Sequence, residues 1–70
     1  MPVVTIQLLK GANRDQKAEI VRDITESLVR VLGKNPENTH VVFHEVEPES
    51  WGQGGLLVEA RRGRRTIELG

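Results

Sequence analysis

Residues 2–33 read PVVTIQLLKGANRDQKAEIVRDITESLVRVLG, and this stretch decides the fold. Its first part, through Leu9, alternates between two sets of side chains with many β-branched residues, which predicts a β-strand. After Asn13 the apolar residues recur at helical spacing, with charged residues on the opposite face. Asn13 and Gln16 have the spacing of a capping box, and Gly33 has the position of a helix stop. We therefore predict one strand followed by one amphipathic helix.

A second strand is predicted at residues 39–46, THVVFHEV, after a turn-rich connector at residues 35–38. A strand, a helix of similar length and a second strand form a right-handed β-α-β unit with parallel strands. Both faces of the second strand carry apolar residues, which indicates a helix on one face and another subunit on the other. Residues 52–55, rich in glycine, and residues 56–58 predict a turn with a short C-terminal strand or hairpin. The predicted fold class is α+β, assembled as an oligomer.

The composition supports the same conclusion. The 70 residues include no Cys, no Tyr, one Trp and one Phe, so disulfides and large aromatic side chains contribute little and oligomerisation is the remaining stabiliser. We expect a single domain at residues 1–60 and a basic tail at residues 61–70. Ten basic and ten acidic side chains cancel, so no net field attracts nucleic acid or an anionic membrane. Without a signal-peptide pattern or a long apolar stretch, we expect a cytoplasmic protein.

Several patterns that can signal ligand sites are weak here. His40 and His44 are four residues apart, which on a strand is about 13 Å and too far for a shared metal ion. Each histidine is interpreted as a polar residue on the strand face or as one that lines a pocket. Residues 52–55 are too short for a dinucleotide site and no predicted helix follows them. Four arginines within residues 61–65 have no aromatic residues between them, so we interpret them as a solvated tail and not as a nucleic-acid site.

Pro2 is the candidate with the most specific chemistry. If Met1 is removed, Pro2 becomes an N-terminal secondary amine at the start of a strand. Free α-amines titrate near ~7.7–8.0, so a modest downward shift leaves a neutral base at pH 7. Many proteins begin with Met-Pro, so Pro2 alone does not establish a function. A lone tryptophan such as Trp51 is a core or interface anchor, or the apolar wall of a ligand site.

Taken in order, these features resemble the 4-oxalocrotonate tautomerase family over about the first 60 residues. The features are Pro2, the strand ending at Gly11, the Asp15-Gln16-Lys17 helix start, the second strand and the turn at residues 51–55. The resemblance implies a hexamer of identical subunits arranged as a trimer of dimers. It also implies that Pro2 is a general base that moves a proton between oxygen and carbon of a small enol or keto acid, without metal or cofactor.

The resemblance also implies substrate-binding positions. Trp51 matches an aromatic residue that walls the family's active site, and Leu9 matches an apolar residue near it. Asn38 falls near a position that the connector contributes.

Two expected arginines are missing, and both bind carboxylates in the relatives. Ala12 stands where the family has an arginine after the first strand, and His40 aligns with the second. Their loss would remove roughly 3–6 kcal/mol of transition-state binding, which argues against a dicarboxylate substrate. Arg14, a protonated His40 or tail arginines from a neighbouring subunit are expected to substitute in part.

Two alternatives to the tautomerase prediction stay open. A cationic Pro2 would serve as an acid in a hydratase or dehalogenase. The chain could also be a catalytically silent subunit that keeps the fold.

Overall fold

The computed structural model describes residues 2–60. The predicted basic tail at residues 61–70 lies outside this range. Three main elements form the subunit, in the order strand β1 (Val3–Leu9), helix α1 (Arg14–Leu32) and strand β2 (His40–Val46). Short 3-10 turns follow α1 and β2, and a small hairpin comes last: the turns are Pro36–Asn38 and Pro48–Ser50, and the hairpin pairs β3 (Gly52–Gln53) with β4 (Leu56–Leu57).

The predicted β-α-β unit with parallel strands is confirmed. β1 and β2 pair in parallel, with Val3 opposite His40 at one end and Leu9 opposite Val46 at the other. The second strand begins one residue later than predicted, because the N–H of Thr39 donates to the carbonyl of Pro36 and closes the 3-10 turn.

The C-terminal hairpin is also confirmed, with one correction. Gly54 and Gly55 have φ values of 62° and 83°, the left-handed conformations that a two-residue type I′ turn requires at both positions. Val58, predicted as the end of the last strand, instead has helical backbone. Its N–H donates to the carbonyl of Trp51 over 2.7 Å.

Both predicted helix ends are present. The side chain of Asn13 accepts the N–H of Gln16 over 2.8 Å, and the Gln16 side chain accepts the N–H of Asn13 over 3.0 Å. At the other end Gly33 is left-handed, with φ of 65°, and its N–H donates to the carbonyl of Val29. These local bonds satisfy backbone groups that a helix end leaves free.

The helix α1 covers one face of the sheet and leaves the other face open. A Lys17–Glu45 ion pair joins α1 to β2, so Glu45 and its alternate neighbours face the helix. Side chains on the opposite face are open: Val3 is 59% exposed and Val42 is 41% exposed. Among residues 2–60, Val58 is the only buried apolar residue. One chain therefore leaves a large part of its apolar surface uncovered, as expected for a subunit of an oligomer.

Replacing Asn13 with alanine tests the capping box. The change removes the oxygen that accepts the Gln16 N–H, so we expect the free energy of unfolding to fall by about 1 kcal/mol per subunit. Thermal unfolding at one fixed protein concentration measures the effect, since oligomer stability depends on concentration. Asn13→Asp is the matched control, because it keeps an acceptor and places an anion at the helix N-terminus. An alanine variant as stable as the wild type would contradict this role.

Candidate active site

Three of the sequence-predicted site residues lie at the end of the sheet where both parallel strands begin. The carbonyl oxygen of Pro2 accepts the N–H of His40 over 3.0 Å, and Pro2 is half-buried. Asn38 ends the 3-10 turn two residues before His40. Pro2 is thus joined to β2 by a hydrogen bond to its carbonyl. Its nitrogen takes no part in strand pairing, since proline has no N–H to donate.

The other predicted residues lie at the opposite edge, where the strands end. Leu9 is half-buried and lies opposite Val46 in the register. Trp51 is also half-buried and directly follows the Pro48–Ser50 turn. Arg14 is exposed and is the first residue of α1.

The length of β1 separates these two groups. β1 has seven residues, and a strand rises about 3.3 Å per residue, so Pro2 and Leu9 are about 23 Å apart. A small substrate cannot span this distance. Within one chain, the structure therefore does not bring Pro2 together with Leu9 and Trp51.

A cavity of about 280 Å³ lies on the open sheet face near the ends of the strands. Six residues line it: Gln7, His44, Val46, Ser50, Trp51 and Gly52. Gln7 and His44 are opposite each other in the strand register, while Ser50, Trp51 and Gly52 come from the segment after β2. We call this the Trp51 cavity.

Sequence reasoning did not select Gln7 or Ser50, and it left His44 between two interpretations. Strand alternation could have shown that Gln7 and His44 share a face. It could not show that Trp51 returns over that face.

Ala12 lines a different groove, of about 420 Å³, together with residues of α1. Glu19 and Asp23 contribute carboxylates to this groove, and Gln16 and Ile20 complete its lining. No lining residue is cationic, so this groove does not offer the carboxylate-binding group that an arginine at position 12 would supply.

Within residues 2–60, no three His, Asp or Glu side chains are grouped so that they could hold a metal ion. The helix that the structure describes there is not apolar enough over its length to cross a membrane.

Comparison with known proteins identifies the family. The family model described as Tautomerase enzyme matches residues 2–61. A curated probable tautomerase from Dickeya dadantii is 44% identical over 63 residues, which cover 89% of this chain and 94% of the relative. The chain therefore belongs to the tautomerase family.

Solved structures agree with this assignment. A 4-oxalocrotonate tautomerase isozyme from Methylibium petroleiphilum aligns with a TM-score of 0.85 and 28% identity, over 90% of this chain and 98% of that one. A heterohexamer 4-oxalocrotonate tautomerase from Chloroflexus aurantiacus aligns with a TM-score of 0.77 and 25% identity, over 84% and 95% of the two chains.

Proposed function

We propose that this protein is a cofactor-free tautomerase that interconverts the enol and keto forms of a small carboxylic acid. The base is the secondary amine of Pro2, made available by removal of Met1. The observation that carries the proposal is the position of Pro2 in a tautomerase-family subunit. Pro2 is half-buried at the start of the strand, and its carbonyl accepts a hydrogen bond from His40. Its nitrogen makes no hydrogen bond in the sheet.

The proposed reaction needs one group that first accepts and then donates a proton. The neutral amine of Pro2 takes the proton from the enol oxygen and leaves an enolate. The carbon–carbon double bond of the enolate then takes a proton at carbon from the resulting ammonium, while the oxygen's electrons form the carbonyl. His40 lies next to Pro2, and its imidazole in the cationic form would favour the neutral amine and stabilise negative charge on the substrate oxygen.

We further propose that the site is completed by neighbouring subunits of a homo-oligomer, a hexamer built as a trimer of dimers. Pro2, Asn38 and His40 would come from one subunit, and Leu9 and Trp51 from another, with Arg14 nearby. The separation of about 23 Å along β1 supports this division, and so does the open sheet face. The relative from Chloroflexus aurantiacus is described as a heterohexamer, so a hexameric assembly has precedent among the structural neighbours.

The missing arginines support a monocarboxylate substrate. Ala12 has no charge to offer, and the carboxylates of Glu19 and Asp23 share its groove. A second substrate carboxylate at that position would be repelled and not bound.

Replacing Pro2 with alanine tests the base. We expect kcat for ketonisation of phenylenolpyruvate to fall about 10²- to 10⁴-fold, the usual contribution of a positioned general base. Intact mass must first show that residue 2 is N-terminal in both proteins. Equal rates would remove Pro2 from the mechanism.

The pH profile of the wild type distinguishes base from acid. A base must be deprotonated, so kcat should fall as the pH is lowered through the titration of the amine. Activity that instead falls as the pH is raised would favour the hydratase or dehalogenase alternative, in which Pro2 is a cationic acid.

Mixing two inactive variants tests whether the site is shared between subunits. Pro2→Ala and Trp51→Ala subunits would be unfolded together and refolded as mixed oligomers. Random assembly should restore about a quarter of the sites, those with Pro2 from one variant and Trp51 from the other. Each variant refolded alone is the control. A mixture with only the mean activity of the two controls would show that both residues act within one chain.

Substituting Ala12 with arginine tests the substrate class. A new charge-assisted hydrogen bond is worth about 1.5–3 kcal/mol, so kcat/KM for enol-oxaloacetate, a dicarboxylate, should rise roughly 10- to 150-fold. The value for the monocarboxylate phenylenolpyruvate should change far less. Ala12→Gln adds a side chain without charge and is the matched control. An equal gain with glutamine and arginine would contradict carboxylate binding at this position.

A further inference from the structure

We infer that His44 binds the substrate carboxylate in the Trp51 cavity. This inference rests on the proposed function, because it assigns the group that recognises the acid. It also predicts that the acid is held only while the imidazole is cationic.

The lining of the Trp51 cavity supports this role. Of its six lining residues, His44 is the only one whose side chain can carry a charge. Gln7 lies directly opposite His44 in the register and offers amide N–H donors to the same anion. Trp51 supplies an aromatic surface for the carbon skeleton. The cavity thus combines an anion-binding floor with an apolar wall.

Among residues 2–60, the other cations at this end of the sheet are engaged in ion pairs or lie elsewhere. Lys10 pairs with Glu47 over 3.1 Å, and Lys17 pairs with Glu45 on the helix side of the sheet. Arg14 is exposed on α1 and does not line the cavity. His40 shares the sheet face but is about 13 Å from His44 along the strand.

Charged groups around His44 determine the expected pH dependence. The neighbours that line the cavity with it, from β1 and from the segment after β2, are uncharged. Glu45 faces α1, Glu47 is paired with Lys10, and Glu49 lies in the exposed Pro48–Ser50 turn. A cationic imidazole holds a carboxylate more tightly than a neutral one, so affinity for the acid should fall as the pH rises and the charge is lost.

A substrate pair separates acid recognition from catalysis. Phenylenolpyruvate and its methyl ester have the same enol, but only the acid carries a charge. For the wild type at pH 6, we expect kcat/KM to favour the acid, with the difference mainly in KM. His44→Asn should reduce this preference roughly 10- to 100-fold, the loss expected for one charge-assisted bond. His44→Arg should retain the preference and keep it at pH 8.

Binding can be measured without turnover, because Trp51 is the only tryptophan in the chain. Its fluorescence reports on the cavity during titration with 3-phenylpropanoate and with the neutral 3-phenylpropanamide. The wild type should bind the acid more tightly at pH 6 than at pH 8 and bind the amide equally at both. His44→Asn should bind the acid more weakly than the wild type at pH 6, whereas His44→Arg should bind it tightly at both pH values.

The outcomes distinguish this inference from the proposed function. An unchanged acid preference in the folded His44→Asn variant, or a wild type that binds acid and amide alike at pH 6, would overturn the role of His44. A protein that shows the His44-dependent binding but does not ketonise either enol would overturn the tautomerase proposal and leave the carboxylate site in place. Circular dichroism of both His44 variants verifies the fold.

Discussion

The structure depends on the uneven cover of its two-stranded sheet, which has apolar residues on both faces. Within residues 2–60, the one long helix covers only one of these faces. Val4, Ile6 and Phe43 are partly buried on the side of α1, whereas Val3 and Val42 remain exposed on the other. A chain of this size gains too little from burying its own surface to be comfortable alone. The uncovered apolar face of the sheet favours association with other subunits. It is also the face on which the Trp51 cavity forms.

Parallel pairing then decides where the candidate groups lie. Because β1 and β2 run in the same direction, Pro2 and His40 begin the strands together, while Leu9 and Trp51 lie where the strands end. In the proposed site, one protomer's base therefore meets its neighbour's tryptophan. The contacts that hold the subunits together would then also form the active site.

Local sequence signals predicted most of the fold. The capping box at Asn13 and the left-handed Gly33 are determined by residues within one or two helical turns, so their patterns were sufficient. Thr39 and Val58 were assigned to strands wrongly: the N–H of Thr39 closes the 3-10 turn on the carbonyl of Pro36, and the backbone of Val58 is helical. The Trp51 cavity could not be predicted, since it depends on how the segment after β2 returns over the sheet. The roles of the site residues stay predictions, because a single sequence does not show how neighbouring protomers meet.

The hydrogen bond from His40 to the carbonyl of Pro2 has a practical consequence for handling this protein. That bond involves the carbonyl of Pro2 and not its nitrogen, so it does not depend on what is attached to the nitrogen. A purification tag fused ahead of residue 2 would leave the strand pairing intact and yield well-folded material, yet it would turn the amine into an amide with no basicity. Under the proposed mechanism, a recombinant sample of this kind would keep its strand pairing and still be inactive, so affinity tags belong at the other terminus.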